Sequence, residues 1–508
     1  MPFNSIFAWV MKKRIHQIDL FRKYPIEVQE EVFNNSLELG AQTEFGRLHD
    51  FSSLSNYESF KEKIPLQEYE DVKPWVERLM AGEQGLLWPT DSKWFAKSSG
   101  TTSSRSKLIP VTKESLMDCH YKGGKDLLAM YYHNHPNGRL YSGKHLAIGG
   151  SAEINHLSDD SYFGDLSAII VKNLPWWAEI RRVPTKEITL MSEWVDKIDR
   201  MAESTAYQDV HSIAGVPSWT MVLANRVLEI TGKSNLKEVW PNLELFMHGG
   251  VNFDPYRAQF KELISGDSMN YVETYNASEG FFGIQDLSDS DEMLLMLDYG
   301  IFYEFIPVSS YKGKESTEIY SLERVEVGVN YALVISTNGG LWRYIIGDTI
   351  KFTSTAPYRF KVTGRVKSFI NAFGEELIVE NAEYAIARAC AETNAVVRDF
   401  TASPVYMEGQ SKGTHEWCIE FVQYPESIER FSEVLDNALR KVNSDYDAKR
   451  YEDMVLQFPK INVVQIGTFD AWLEAIDRLG GQNKVPRLSN DRTIMDQILQ
   501  VASEKIEL

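Results

Sequence analysis

Cysteine is scarce in this 508-residue chain: Cys119, Cys390 and Cys418 are the only three. Their wide spacing and odd number give neither a disulfide framework nor a metal-ligand pattern, so they read as buried reduced thiols. Long apolar runs are missing too. No stretch of about 18 uncharged apolar residues occurs, which argues against a membrane span. The short apolar run at residues 6–11 precedes the basic cluster Lys12-Lys13-Arg14, the reverse of a secretory signal, and cytoplasmic residence is expected. Positive charge is also in deficit: 53 Lys and Arg stand against 72 Asp and Glu, a formal net charge of -19. That balance argues against general nucleic-acid binding and requires local Lys or Arg wherever an anionic substrate is held. No internal repeat or low-complexity segment is evident.

The chain does have the makings of several hydrophobic cores. With 43% hydrophobic and 25% charged residues it reads as soluble and globular. Its length calls for about two to four domains. Residues 1 to 90 look helical and charged, with Pro65, Pro74 and Pro89 breaking the pattern. From residue 90 to 365 short β-rich runs alternate with helical ones, an α/β signature. Strands are expected at 94–97, 145–148, 243–247 and 269–273, each ending in Gly or Ser where α/β proteins place binding loops. Between 293 and 365 the runs become more purely β, as in a small barrel or antiparallel subdomain. After Gly364-Arg365 strands and helices alternate again. Ile428, Phe431, Leu435, Leu439 and Val442 recur at helical spacing, with partner strands at 414–421 and 461–466. A domain boundary is therefore expected at 366/367, dividing residues 1–366 from an α+β domain of residues 367–508.

Four segments carry candidate chemistry. Ser98-Ser99-Gly100-Thr101-Thr102-Ser103-Ser104-Arg105-Ser106-Lys107 follows the first strand; its backbone N–H groups and hydroxyls can converge on an anion, with Lys107 supplying charge. It is not a Walker loop, and a solvated connection is the ordinary alternative. In Tyr275-Asn276-Ala277-Ser278-Glu279-Gly280 an aromatic ring can stack on a base while Glu279 holds magnesium, or Tyr275 is simply a core residue and Glu279 a solvated turn. Trp342-Arg343-Tyr344-Ile345-Ile346-Gly347-Asp348, with Gly364-Arg365 beyond, offers Asp348 to a ribose, or is a plain hairpin turn. Gly480-Gly481-Gln482-Asn483-Lys484-Val485-Pro486-Arg487 presents Lys484 on a glycine-softened loop, as a mobile charge or an exposed lysine.

In this order the four segments resemble the acyl-adenylate-forming enzymes, and more closely the auxin-responsive acyl acid amido synthetase family known from plants, which also has bacterial members. Matching elements are the Ser-Ser-Gly-Thr-Thr loop, Lys107-Leu108-Ile109-Pro110, Gly215-Val216-Pro217-Ser218-Trp219, Tyr275 to Glu279, Gly347-Asp348 and the Gln482-x-Lys484-x-Pro486-Arg487 run. Ser104 stands where the family often has a second glycine, and Arg343 to Asp348 is one residue longer than the family's Tyr-Arg-x-Gly-Asp.

The resemblance implies a large N-terminal adenylate-forming α/β domain with a β-rich subdomain, plus a smaller mobile C-terminal α+β domain. It implies ATP and Mg2+ as cofactors, with a small carboxylic acid and an amino acid or other amine as substrates, and no nucleic-acid or membrane partner. Lys484 and Glu279 would be catalytic, Glu279 through the metal. Ser98, Ser99, Gly100, Thr101, Thr102 and Lys107 would hold phosphate. Tyr275, Asn276, Ala277 and Ser278 would line the base, and Asp348 and Arg365 would fix the ribose. Trp219, Phe281 and Phe282, with Met221 nearby, are candidates for an apolar acyl slot, although core packing explains them almost as well. A monomer is the simplest state. An acyl-CoA ligase with a thiol acceptor, or a silent nucleotide-binding protein, remains the alternative. His120, His133, His135 and His211 lack metal or triad spacing and read as core or surface residues.

Overall fold

The N-terminal helices form because their apolar residues fall on one stripe and their ends are capped. The computed structural model describes residues 9–11, 13–98, 107–149, 155–158, 161–191, 193–251, 253–266, 269–288, 290–366, 369–407, 412–476 and 485–506. Helices Ile15–Lys23, Pro25–Gly40, Tyr57–Lys63 and Tyr69–Met80 open the chain. Asn56 and Ser59 close a capping box on the third of these. Gln29 reaches from the second to a strand at Ile301–Pro307, donating to the carbonyls of Leu297 (2.8 Å) and Ile301 (2.9 Å) and accepting from the Tyr303 N–H (3.0 Å). Pro74, expected as a helix breaker, sits inside Tyr69–Met80. The capping box of Glu68 and Asp71 and the buried face of Val72, Val76 and Leu79 hold that helix despite the missing N–H donor.

The centre is one twelve-stranded sheet whose character changes along its width. Its parallel half runs Arg182–Val183, Lys144–Ala147, Val210–Ala214, Leu245–Gly249 and Asn270–Ala277. From there the pairing is antiparallel through Gly280–Ile284, Met293–Leu295, Tyr358–Arg365, Tyr344–Thr355, Asn330–Thr337, Ile301–Pro307 and Tyr320–Ser321. The β-rich stretch is thus antiparallel, as expected, and hydrogen-bonds directly into the parallel half. A second sheet pairs Trp94–Ser98 antiparallel with Lys107–Val111 and parallel with Ser161–Asp165. Ser98 faces Lys107 across the first of these pairs, so the two described ends of the hydroxyl-rich run are held side by side.

The C-terminal part is a separate three-stranded sheet, Val396–Val405, Thr414–Gln423 and Lys460–Val464, covered by Val379–Thr393 and Ile428–Val442. The second helix buries Phe431, Leu435 and Leu439, the periodic residues of the sequence, and Ser427 caps its start. The apolar cluster that includes Trp219, Phe246 and Tyr256 continues into this part through Phe373, Phe400 and Leu435. Cys119 and Cys418 are buried free thiols and Cys390 is partly exposed. Among the described residues no helix is long and apolar enough to cross a membrane.

Arg343 belongs to this framework and not to the cavity described below. Its buried guanidinium pairs with Glu304 (2.9 Å) and donates to the carbonyls of Lys61 (2.9 Å) and Ile64 (2.6 Å), while Tyr57 donates to the same Glu304. Removing one partner of a buried ion pair strands the other charge. Arg343→Met should therefore lower stability by about 3–5 kcal/mol, read as a fall in the urea midpoint. The double replacement R343M/E304L should recover much of the loss. An unchanged midpoint in the single variant would refute this role.

Candidate active site

The parallel strands end, at their carboxyl ends, on a cavity of about 540 Å³. Open α/β sheets bind ligands at that edge because crossovers leave a crevice there. Strand Asn270–Ala277 reaches it and turns through Ser278 and Glu279 into Gly280–Ile284, with Ala277 facing Gly280. Tyr275, Asn276, Ala277, Ser278 and Glu279 all line the cavity. Asp348 and Arg365 line it from the antiparallel half, as direct cross-strand partners. Ser98 borders it from the second sheet. Gly347 before Asp348 has φ 94, a left-handed conformation in which glycine carries no steric cost.

These groups form one charge network. The Arg365 Nε donates to Asp348 Oδ1 at 2.6 Å, and the Tyr275 hydroxyl donates to Asp348 Oδ2. Arg365 also faces Glu376 at 3.5 Å. Burial works against the Arg365 charge, but Asp348 and Glu376 outweigh it and keep the guanidinium protonated. Burial and the neighbouring Asp348 push the Tyr275 phenol far up. Burial also pulls Lys107 below the usual lysine range, although Glu279 acts in the other direction. Lys107 lines a smaller adjoining cavity of about 110 Å³ with Tyr69 and Arg365. Glu279 is raised to about 7 by burial, with Lys107 opposing the rise and Asp348 adding to it.

Other expected residues lie elsewhere. Phe281 and Phe282 are buried in the main core, where Phe281 packs on Tyr299 and its N–H donates to the Cys119 sulfur, and Phe282 packs on Tyr303. Neither is among the residues bordering the cavity, and strand Gly280–Ile284 is buried along its whole length. Trp219 and Met221 are likewise buried, on helix Pro217–Thr231. Ser99, Gly100, Thr101, Thr102 and Lys484 lie outside the described residues.

The structure adds residues that the sequence pattern did not single out. Asn371, Gly374, Glu376 and Asp445 bring the C-terminal part to the cavity wall. His120, buried on a π-helical turn at Ser115–His120, donates through Nδ1 to Asn276 Oδ1 at 3.0 Å. Burial lowers its pKa to about 4, so near pH 7 it acts as a neutral anchor that leaves the Asn276 amide NH2 to face away from it. A lone histidine 156 positions from its partner carries no spacing signal; only the π-helical turn marks it, and a π-turn cannot be read from sequence.

Residues 14–269, 294–365 and 380–493 match in turn the models of the GH3 family N-terminal, central and C-terminal domains. The chain belongs to the GH3 family. Among GH3 relatives, indole-3-acetic acid-amido synthetase GH3.3 of Arabidopsis thaliana is 23% identical, over 92% of this chain and 90% of that one. The 4-substituted benzoates-glutamate ligase GH3.12 of the same plant is 23% identical, over 85% and 87%. The solved GH3.15 acyl acid amido synthetase has the same fold, with a TM-score of 0.62 at 18% identity over 97% of this chain and 96% of that one. A 2-hydroxyisobutyryl-CoA ligase in complex with 2-HIB-AMP and CoA also shares the fold, with a TM-score of 0.57 at 14% identity over 94% and 92%.

The raised Glu279 carboxyl has a signed consequence. A carboxyl whose folded pKa lies above its usual 4.5 is favoured in its protonated form by the fold. Its contribution is complete below about pH 4.5 and is lost as pH rises through about 7. Glu279→Gln, neutral at every pH, should match wild-type stability at pH 4 and exceed it by about 2–3 kcal/mol at pH 8. Denaturant titrations at both pH values check this. A difference independent of pH would show that Glu279 titrates normally.

Proposed function

We propose that the chain is an ATP-dependent acyl acid amido synthetase that forms an acyl-adenylate and passes the acyl group to an amino acid or other amine. The observation that carries the reading is convergence: Ser98, Tyr275 to Glu279, Asp348 and Arg365, far apart in sequence, border one cavity at the carboxyl ends of parallel strands. The named GH3 relatives, amido synthetases and an acid–glutamate ligase, support the reaction class.

In the first half-reaction a carboxylate oxygen attacks the α-phosphorus of ATP, the bond to pyrophosphate breaks, and pyrophosphate leaves with the electron pair. In the second, the amine nitrogen attacks the acyl carbon and AMP leaves. Catalysis of the first step is mostly positioning and charge neutralisation. We assign Ser98, Ser99, Gly100, Thr101 and Thr102 to the phosphates, with Lys107, the cross-strand partner of Ser98, beside them. Tyr275 and the Asn276 to Ser278 backbone would bear on the adenine. Asp348 retains acceptor capacity for ribose hydroxyls beside its contacts to Arg365 and Tyr275.

Glu279 is the assigned magnesium ligand. Among the described residues no cluster of three His, Cys, Asp or Glu forms a closed metal site. One carboxylate on a turn, completed by phosphate oxygens and water, is an ordinary magnesium donor set, so Glu279 fits. The ion would supply neutralisation of phosphate charge.

We place the domain boundary at 366/367 and assign Lys484, beyond it, to the α-phosphate and acyl carboxylate during adenylation. Rotation about the boundary would then exchange the two half-reaction sites. Cytoplasmic residence and a monomeric state complete the proposal.

The test is acid-dependent ATP–pyrophosphate exchange across a carboxylic-acid panel, followed by mass spectrometry with amino acids or CoA as acceptor. Amide product supports the proposal, thioester selects a CoA ligase, and no ATP turnover with any acid overturns it. Lys484→Ala should slow exchange by about 10²- to 10³-fold, the effect of losing one charge-assisted contact. Exchange equal to wild type would remove Lys484 from this role.

A further inference from the structure

Asn276 lines the large cavity, and its side chain leaves strand Asn270–Ala277 on the face opposite to that of Tyr275. Tyr275 turns to Asp348 and packs on Phe282, with ring centres 4.8 Å apart. Asn276 turns the other way, together with its cross-strand partner Phe281. On that side lie the turn Ser115–His120 and the helix Tyr121–Asn134 that follows it. The Phe281 N–H donates to the Cys119 sulfur at 3.2 Å, and a Cβ on Gly123 would meet the Phe281 ring at 2.7 Å. From the same turn His120 reaches the Asn276 Oδ1.

This contact divides the Asn276 amide into two ends. Its oxygen is held from beneath by a histidine that is only 5% exposed, while Asn276 itself is open to the cavity. With Oδ1 taken by the His120 Nδ1–H, the NH2 group is the end left to the cavity. The His120 contact is the one hydrogen bond the Asn276 side chain makes among the described residues. The π-helical turn aims the imidazole: a chain closed from i to i+5 presents its side chains in directions that a regular helix does not, and such turns recur at functional sites.

The two faces of the strand have different surroundings. Asp348 and Arg365, assigned to the ribose, stand on the Tyr275 side. Leu166 borders the cavity from the other side. Its helix Leu166–Lys172 is tied to the His120 side by the Tyr121 hydroxyl, which donates to the Ile170 carbonyl at 3.0 Å. The Asn276 NH2 therefore points into the part of the cavity that the nucleotide leaves for the acid.

We infer that Asn276 selects the acyl substrate and that His120 positions it: the amide NH2 donates to a hydroxyl, carbonyl or ether oxygen that the acid carries beyond its carboxylate. The inference rests on the amido synthetase reading and names its substrate class, an oxygen-bearing acid in place of a plain hydrocarbon acid. A hydrocarbon acid would cover the NH2 and leave it unpaired, and a site built to hydrogen-bond a substrate group rejects the analogue that lacks it. Without His120 the amide could turn its oxygen to the cavity instead, which would repel the same acceptor.

The experiment starts from the acid with the highest kcat/KM in acid-dependent ATP–pyrophosphate exchange and compares that carbon skeleton with and without each oxygen substituent. For an aromatic acid the probes are benzoate and its hydroxy and methoxy derivatives; for an aliphatic one they are butyrate and its hydroxy and oxo derivatives. In the wild type at least one substituted acid should exceed its parent by about tenfold or more. In Asn276→Leu, which keeps the bulk and removes the amide, that ratio should fall below about twofold. His120→Phe should lower the ratio several-fold, whereas His120→Asn, which can present an N–H near the place of Nδ1, should retain most of it. Wild-type ratios all within about twofold, or a ratio unchanged in N276L, overturn the inference. An equal loss for both members of each pair in H120F makes His120 structural and overturns its positioning role. A change confined to the choice between ATP and GTP gives the amide to the base and overturns the acyl assignment. No exchange with any acid overturns the amido synthetase reading and this inference with it.

Discussion

Asp348 is reached at once by a guanidinium from the adjacent strand and by a phenol from a strand four steps away in the same sheet. Four steps at about 4.8 Å would separate Tyr275 and Asp348 by roughly 19 Å in a flat sheet. Their contact therefore requires the sheet to curl over between them. The strands that make the bend are suited to it. Met293–Leu295 is three residues long, and register shifts interrupt the pairing at Phe281/Gly283 and at Thr349/Ile350. Bulges of this kind increase local twist. Gly283 lets the Phe360 ring lie where a Cβ would meet it at 2.7 Å, so the curl depends on a missing side chain as much as on hydrogen bonds. The cavity is the space enclosed by this bend.

Charge inside the bend is arranged against the trend of the whole molecule. The chain carries a net charge of -19, yet Lys107 and Arg365 line the same small cavity. Local placement overrides net charge at short range because screening and desolvation decide what a bound anion feels. Glu279 titrates near neutrality because burial outweighs the attraction of Lys107. A cation brought to Glu279 would lower its pKa and so would compete with a proton for the carboxylate.

Much of this was legible in the sequence, for reasons that also explain what was not. Tyr275, Glu279 and Arg365 lie at or beside ends of apolar β runs marked by glycine or serine, where the chain leaves the sheet, whereas Asp348 follows Gly347 inside strand Tyr344–Thr355. The helix Ile428–Val442 announced itself by its 3.6-residue period. Phe281, Phe282 and Trp219 were ambiguous because an apolar pocket and an apolar core use the same residues, and only the fold says which face is lined. Pro74 was misleading because burial of one helix face outweighs one lost hydrogen bond. Gly374 and Asp445 sit in no pattern; they meet the cavity only through tertiary packing of distant segments.

The position of Arg365 bears on what a turn of the C-terminal part about the proposed boundary would change. It is the last residue of strand Tyr358–Arg365, immediately before the proposed boundary. Its contact with Asp348 lies wholly on the N-terminal side, whereas its contact with Glu376 crosses the boundary. Turning the C-terminal part would break the longer Glu376 pair and leave the shorter Asp348 pair intact. The same turn would carry away Gly374 and Asp445 while leaving Tyr275, Glu279 and Asp348 in place. Besides parting the apolar cluster that joins Trp219, Phe246 and Tyr256 to Phe373, Phe400 and Leu435, it would have to release the carbonyls of Ala372 and Phe373 from Tyr256 (2.6 Å) and Ser218 (2.9 Å), and Asn371 from the Gly250 carbonyl (2.9 Å). These contacts are hydrogen bonds to backbone, each worth about 1 kcal/mol net, because water replaces the lost partner. A hinge placed after Arg365 would thus keep the mutual contacts of Tyr275, Asp348 and Arg365 fixed and exchange only the residues that the C-terminal part brings to the cavity.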